Sequence, residues 1–258
     1  MGSMLKAVIF DLDDTLIDWS GRQEEWPEIS KRHLAPVHAY LREQGCAVPD
    51  LEQVVPIFGD IIRRSWEEAS MREWAAPRQI DFLRSLVVEL DLSPDLVDIE
   101  HLLTLFAWGP VPGVRLFADT LDVLRAVRGA GLKVGLLTNA AHPMWMRDRE
   151  LAPLGLLEYF DVRLTAGDVG KIKPHPLPFQ VTMQQLNVAP HEAIYVGDRA
   201  YDDVIGAQGA GMRAVWVRRP ATSATLTDGI RPNAVIDSLS ELLTTLDLWY
   251  PGWRSRQA

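Results

Sequence analysis

The chain has 258 residues, a formal charge of −9 and 47% hydrophobic residues. That is enough apolar material for one large domain or two modest ones with a sizeable core. The acidic balance argues against a nucleic-acid partner, which needs Lys/Arg-rich faces, but not against a small phosphorylated one, whose charge a metal ion and one lysine can offset locally.

Met1 to Ser3 read as a cloning remnant ahead of a native start at Met4. Leu5 to Phe10 is too short for a signal peptide and reads as a buried strand. Residues 18–109 contain no convincing strand and read as four helices, near 27–44, 51–74, 77–90 and 94–107. Asp50 with Gln53 resembles a capping box, and Ser93-Pro94 resembles a cap followed by proline at the first helical position. Cys46, the single cysteine, can form no internal disulfide and reads as a half-buried small side chain. A reducing, cytoplasmic setting fits. Gly109-Pro-Val-Pro-Gly113 then stops the helices.

Beyond Val114 the pattern changes. Apolar runs at Lys133–Thr138, Ala193–Val196 and Arg213–Val217, with weaker ones at Val162–Thr165 and Ala234–Ile236, alternate with amphipathic stretches near 117–130, 144–154, 176–186, 201–210 and 238–246. Continuous apolar strands separated by helices indicate a parallel sheet buried on both faces. The expectation is an α/β fold: a Rossmann-like parallel sheet with helices on both faces, built from 4–17 and 110–258, with an all-helical insertion at 18–109. The Trp249–Trp253 tail is expected against the core or against another subunit. No apolar run approaches the ~20 residues that span a bilayer, so no membrane partner is expected.

Four clusters carry chemistry, each at a strand end. Asp11 and Asp13 follow the first strand, where open α/β sheets present functional groups. Two carboxylates held close repel unless a cation or shared proton compensates. Asp14 and Thr15 are natural helix-capping candidates, which leaves Asp11 and Asp13 unexplained by capping. Thr138-Asn139 ends the second strong strand and can offer a hydroxyl and amides to a phosphoryl oxygen. Lys173 stands before Pro174, His175 and Pro176 on a stiffened turn; His175 reads as a cap or a solvent-facing residue, and Lys171 as a solvated lysine. Gly197-Asp198 with Asp202 and Asp203 ends another strand, and carboxylates from separate segments suit Mg²⁺.

In this order the clusters resemble the haloacid dehalogenase superfamily. Asp11, Asp13 and Thr15 match its D-x-D-x-T motif, Thr138 its second, Lys173 to Pro176 the K-P-x-P form of its third, and Asp198 with Asp203 its acidic fourth. The helical insertion between the first two motifs is similar to a type 1 cap. The resemblance implies a Mg²⁺-dependent phosphatase acting on a small phosphorylated metabolite, as a monomer or homodimer. Asp11 is then the nucleophile and Asp13 the acid and base. Thr138, the Asn139 amide and Lys173 would meet the phosphoryl oxygens. Asp11, the Asp13 carbonyl, Asp198 and Asp203 would hold the metal, Asp203 being preferred over Asp202 on spacing. Three alternatives stand beside it: a sugar phosphomutase, a non-catalytic binding module, and a metal-independent dehalogenase, the last disfavoured by Asp13. Two departures from the family pattern are Arg199, expected to pair with Asp202, and Ala140-Ala141 in place of a glycine. Trp19, Trp26, Trp66, Trp74 and Trp108 are expected to fill the insertion's core and hinge, and Arg63, Arg64, Arg72 and Arg78 to form a solvated face.

Overall fold

A computed structural model describes residues 4–219 and 229–255; the expected cloning remnant lies outside the described residues. The strands are β1 (Ala7–Phe10), β2 (Ile17–Asp18), β3 (Arg115–Leu116), β4 (Lys133–Thr138), β5 (Val162–Thr165), β6 (Ala193–Gly197), β7 (Arg213–Val217) and β8 (Ala234–Ile236). Six of them form one sheet in the order β5-β4-β1-β6-β7-β8, and every adjacent pair is parallel. All four residues of β1 are buried, because it lies inside the sheet with β4 on one side and β6 on the other.

Strand parity assigns the two faces. Val8, Phe10, Leu136 and Val196 pack against α5 (Thr120–Gly129) and α10 (Ser240–Trp249) through Leu124, Val127, Leu242 and Leu246. Ala7, Ile9, Leu137 and Tyr195 pack against α8 (Pro176–Leu186) through Phe179, Met183 and Leu186. Successive side chains of a strand point to opposite faces, so one short apolar run supplies both cores.

Between β2 and β3 the chain forms α1 (Trp26–Glu43), α2 (Leu51–Ala69), α3 (Gln79–Glu89) and α4 (Ile99–Phe106). These helices pack around their own core, in which Leu34, Phe58, Leu83 and Leu102 are almost wholly buried. The core continues into Ala141 and Met146 beyond β4, which joins the helices to the sheet side. Both crossings into this helical segment run side by side. Ile17 and Asp18 pair antiparallel with Leu116 and Arg115, and Gly21 lies so close to Gly113 that a Cβ on either would overlap the other's carbonyl oxygen. Gly113 also has φ of 84°, a conformation that favours glycine.

Several local expectations need correction. The second helix ends at Ala69 rather than near 74, and the chain goes on in turns in which Glu73 and Trp74 adopt positive φ. Asp50 makes no side-chain cap bond, and neither does Ser93, whose proline starts only a three-residue 3₁₀ turn. The fourth helix is capped instead by Asp98, whose carboxylate accepts from the His101 amide. No helix follows Asp14-Thr15; the loop turns back into β2, with Asp14 at φ 57°. The 201–210 stretch is a π-helical turn, Ala200–Ile205, running into α9 (Gly206–Gly209). At the C-terminus Trp253 and Tyr250 pack into the core beside α10. Cys46 is half-buried at the edge of the helical core.

Candidate active site

The parallel sheet brings Asp11, Thr138 and Asp198 to the same edge, since each stands at or just after the C-terminal end of neighbouring strands β1, β4 and β6. Carboxylate oxygens of Asp11, Asp198 and Asp203 all lie within 4.8 Å of one another, and all three residues are buried. Asp203 comes from the π-helical turn. It fits against the strand end because residue 197 is glycine: a Cβ there would overlap the Asp203 carboxylate. Asp202 points away and pairs with Arg199 at 2.8 Å, as the sequence suggests.

Lys173 is the hub. Its Nζ donates to Asp11 Oδ1 at 2.7 Å, Asp203 Oδ1 at 2.6 Å and the Tyr195 hydroxyl at 2.8 Å. The Asn139 side chain clamps the lysine backbone, accepting from its N–H at 2.8 Å and donating to its carbonyl at 3.1 Å. Thr15 donates weakly to both Asp11 and Asp198 at 3.3 Å, and Trp216 Nε1 holds the Asp198 carbonyl at 2.7 Å. His175 caps α8 through Nδ1, and Lys171 bonds the Glu73 carbonyl. Neither reaches the cluster.

Electrostatics follow from these distances. Burial would lower the Lys173 ammonium, but Asp11 and Asp203 hold it well above its ordinary range. Burial pushes the Asp11 carboxyl well up against the pull of Lys173, and Asp203 and Asp198 push the same way. Three buried carboxylates face one buried ammonium, an excess of negative charge that a divalent cation would balance. The donors are all oxygens, as a hard ion such as Mg²⁺ requires. The chain's residues therefore fit a divalent metal.

Asp13 occupies a different place. Its Oδ1 accepts from Arg147 at 2.7 Å and from Trp19 Nε1 at 2.8 Å, and its Oδ2 from Thr138 at 3.2 Å. Arg147 lies on α6 (Met144–Leu151), almost wholly buried, and its Nε is 3.2 Å from Glu150, which also accepts from Trp108 Nε1 at 3.1 Å. Burial raises the Glu150 carboxyl against the pull of Arg147. Sequence reading misses this pair. Arg and Glu three apart on a helix normally form a solvated ion pair; the available signal was their position in the helix following Thr138. Arg219 was also missed: it bonds the carbonyls of Asp14 and Thr15 and covers the Phe117 ring, holding the first motif's loop.

Two cavities meet at Asp13. One, of about 430 Å³, is the polar crevice lined by Asp11, Thr138, Lys173, Asp198 and Arg199. The other, of about 560 Å³, lies between the sheet edge and the helical segment; Asp13, Asp14 and Asn139 line both. Trp19, Trp26, Trp66 and Trp108 line this second cavity; Trp108 is at the same time buried in the helical core and Trp19 and Trp66 pack against it, as expected, while Trp26 is exposed. Trp74 packs with Ala69, Ala166 and Ile172 instead. Arg63, Arg64, Arg72 and Arg78 are exposed and paired with nearby carboxylates, outside the cavity lining.

Comparison with known proteins agrees with the motifs. The profile of the haloacid dehalogenase-like hydrolases matches residues 5–211. Pyrophosphatase PpaX of Bacillus thuringiensis (strain Al Hakam) and of Bacillus cereus (strain 03BB102) are each 28% identical over 242 residues, covering 94% of this chain and 96% of the relative. Among solved structures, a 2-haloacid dehalogenase from Pseudomonas syringae pv. Tomato DC3000 superposes with a TM-score of 0.63 at 27% identity, covering 95% of this chain and 100% of that one. A HAD phosphatase from Thermococcus onnurineus gives 0.57 at 28% identity, covering 94% and 98%. The matched profile spans the first strand, the helical segment and the whole acidic cluster, and the chain belongs to the haloacid dehalogenase-like hydrolases.

Proposed function

We propose that the chain is a Mg²⁺-dependent phosphatase of small phosphate monoesters that works through an aspartyl-phosphate on Asp11. The observation that carries this is the placement of Asp13. It lies at the junction of the two cavities, apart from the carboxylate cluster and hydrogen-bonded on both oxygens. A nucleophile and a separate acid, each in its own environment, is what two-step phosphoryl transfer needs.

In the first step an Asp11 oxygen attacks phosphorus, and the bond from phosphorus to the leaving oxygen breaks. Asp13 gives its proton to that oxygen, releasing the alcohol. In the second step water attacks the phosphorus of the acyl phosphate, Asp13 takes the water's proton, and phosphate leaves with Asp11 restored as carboxylate. Thr138 and the Asn139 backbone amide would hold phosphoryl oxygens at the strand end. Lys173, fixed between Asp11 and Asp203, offsets charge on the transferring group and keeps Asp11 oriented. A divalent cation held by Asp11, Asp198, Asp203 and the Asp13 carbonyl would supply Lewis-acid polarisation of the phosphoryl oxygens. The four-helix segment serves as the cap that excludes water from these steps.

Phosphate release from a panel of esters, with and without chelator, tests the reading. Turnover that needs added Mg²⁺ and falls on the order of 10⁴-fold in Asp11→Asn is expected. Full metal-dependent activity in that variant would sink the proposal. Isomerised hexose phosphate without free phosphate would identify a mutase, and chelator-resistant halide release from a 2-haloacid a dehalogenase.

A further inference from the structure

The 560 Å³ cavity has the volume of a small-molecule site, and its chemistry differs sharply from that of the crevice it joins. Its wall is aromatic: Trp66 and Trp108 with Phe58 and Phe82, and Trp19 stacked on Trp26 at 5.5 Å. Trp26, 52% exposed, is held by Trp19 and by the Arg22 guanidinium 5.2 Å from its ring centroid. At Asp13 the cavity opens where the leaving oxygen takes its proton, so it must receive the alcohol part of the ester.

Charge in the cavity is already committed. Arg147 is engaged by Asp13 and Glu150, while Arg22 donates to the Glu24 carbonyl and to Glu25. His142 packs against Trp108 with ring centroids 4.4 Å apart, and burial holds its imidazole well below the ordinary range, so it is neutral near pH 7. Among the described lining residues, every cationic group therefore has a partner. A second phosphate or a carboxylate entering here would be desolvated without a cation to receive it.

Two buried polar atoms of the described lining have no hydrogen-bond partner, Gln79 Nε2 and Arg147 Nε, the latter 3.2 Å from the Glu150 carboxylate that balances its charge. Gln79 is 1% exposed, lines the cavity, and its Nε2 has no hydrogen-bond acceptor. Its backbone is fixed to the Ala141 carbonyl at 2.9 Å, at the start of α3. A buried amide left unmatched is unfavourable, and a ligand acceptor would supply the missing bond. We infer that the cavity selects phosphate monoesters whose leaving alcohol carries an uncharged planar aromatic group with a hydrogen-bond acceptor for Gln79. This rests on the phosphatase reading and narrows it.

The test compares kcat/KM, with Mg²⁺ present, for esters of primary alcohols with similar leaving-group basicity: ethyl, 2-phenylethyl and 2-(pyridyl)ethyl phosphate, with the choline ester and pyrophosphate beside them. Phenylethyl should exceed ethyl by at least about 30-fold, from ring burial alone. A pyridyl isomer should exceed phenyl by about fivefold. Gln79→Leu should bring the pyridyl-to-phenyl ratio close to one, and Trp66→Ala should cut the phenyl-to-ethyl ratio about tenfold. Because Trp66 is only half-buried, its variant remains informative if Gln79→Leu does not fold. Metal-dependent hydrolysis that favours ethyl phosphate or the choline ester would overturn the inference and leave the phosphatase reading intact, whereas a preference for pyrophosphate would overturn the inference and replace the monoester reading with hydrolysis of a phosphoanhydride. Inertness toward every ester and pyrophosphate would overturn both.

Discussion

The crevice and the aromatic cavity share Asp13, Asp14 and Asn139, yet they are built on opposite principles. In the crevice, side chains satisfy one another: Lys173 alone engages two carboxylates and a phenol, and Asn139 uses both ends of its amide. In the cavity, apolar rings surround a few donors, and Gln79 Nε2 and Arg147 Nε are left without a hydrogen-bond acceptor. A satisfied network fixes geometry, which chemistry requires; an unsatisfied apolar space gains most when something enters, which selection requires.

Substitutions can separate the two regions. The largest effect is expected from Lys173→Met. It leaves Asp11, Asp203 and Asp198 buried without their ammonium, and should lower unfolding stability by about 3–5 kcal/mol in chelator. Added Mg²⁺ should restore more stability to this variant than to the parent, as denaturant titrations would read; equal restoration would mean that the cluster is not the metal site. Next is Arg147→Met, at the seam. About 2 kcal/mol should be lost, limited because Glu150, already raised by burial, can take a proton. Its kcat should fall about 10–100-fold while KM for a small ester changes little, since Asp13 loses the contact that orients it. A loss confined to KM would assign Arg147 to substrate binding.

The smallest effect belongs to the cavity's own wall. His142 is depressed in the folded protein, chiefly by burial and then by Arg147, whereas the unfolded chain titrates near the ordinary value of about 6.5. Below that value the unfolded state binds more protons, so stability is present above about pH 6.5 and is lost as pH falls toward the folded value. The slope is at most about 1.4 kcal/mol per pH unit. His142→Phe should flatten it between pH 6.5 and 5; an unchanged slope would show that the ring titrates normally through the cavity.

This contrast also explains what was legible beforehand. The sheet was, because β1, β4 and β6 are unbroken apolar runs, and so were Asp11, Thr138, Lys173 and Asp198, because each sits at a strand end or on a proline-stiffened turn. The cavity was not. Trp19, Trp66, Gln79 and Arg147 come from four separate segments, and no local pattern distinguishes a tryptophan that fills a core from one that faces a space. The π-helical turn was also hidden: the sequence from Ala200 to Gly209 has ordinary helical character. Its widening follows from packing Asp203 under Gly197.

The two-residue ribbon of β2 and β3 has a consequence for how this molecule can be rebuilt. Asp18 faces Arg115 across an antiparallel pair, so residues 97 positions apart in sequence have Cα atoms about 5 Å apart. A foreign helical segment could be ligated at the same two ends, provided that it covers Ala141 and Met146 as the present one does. The helical segment would then be exchangeable as a cassette, while Asp11 keeps its register on the strand that carries it.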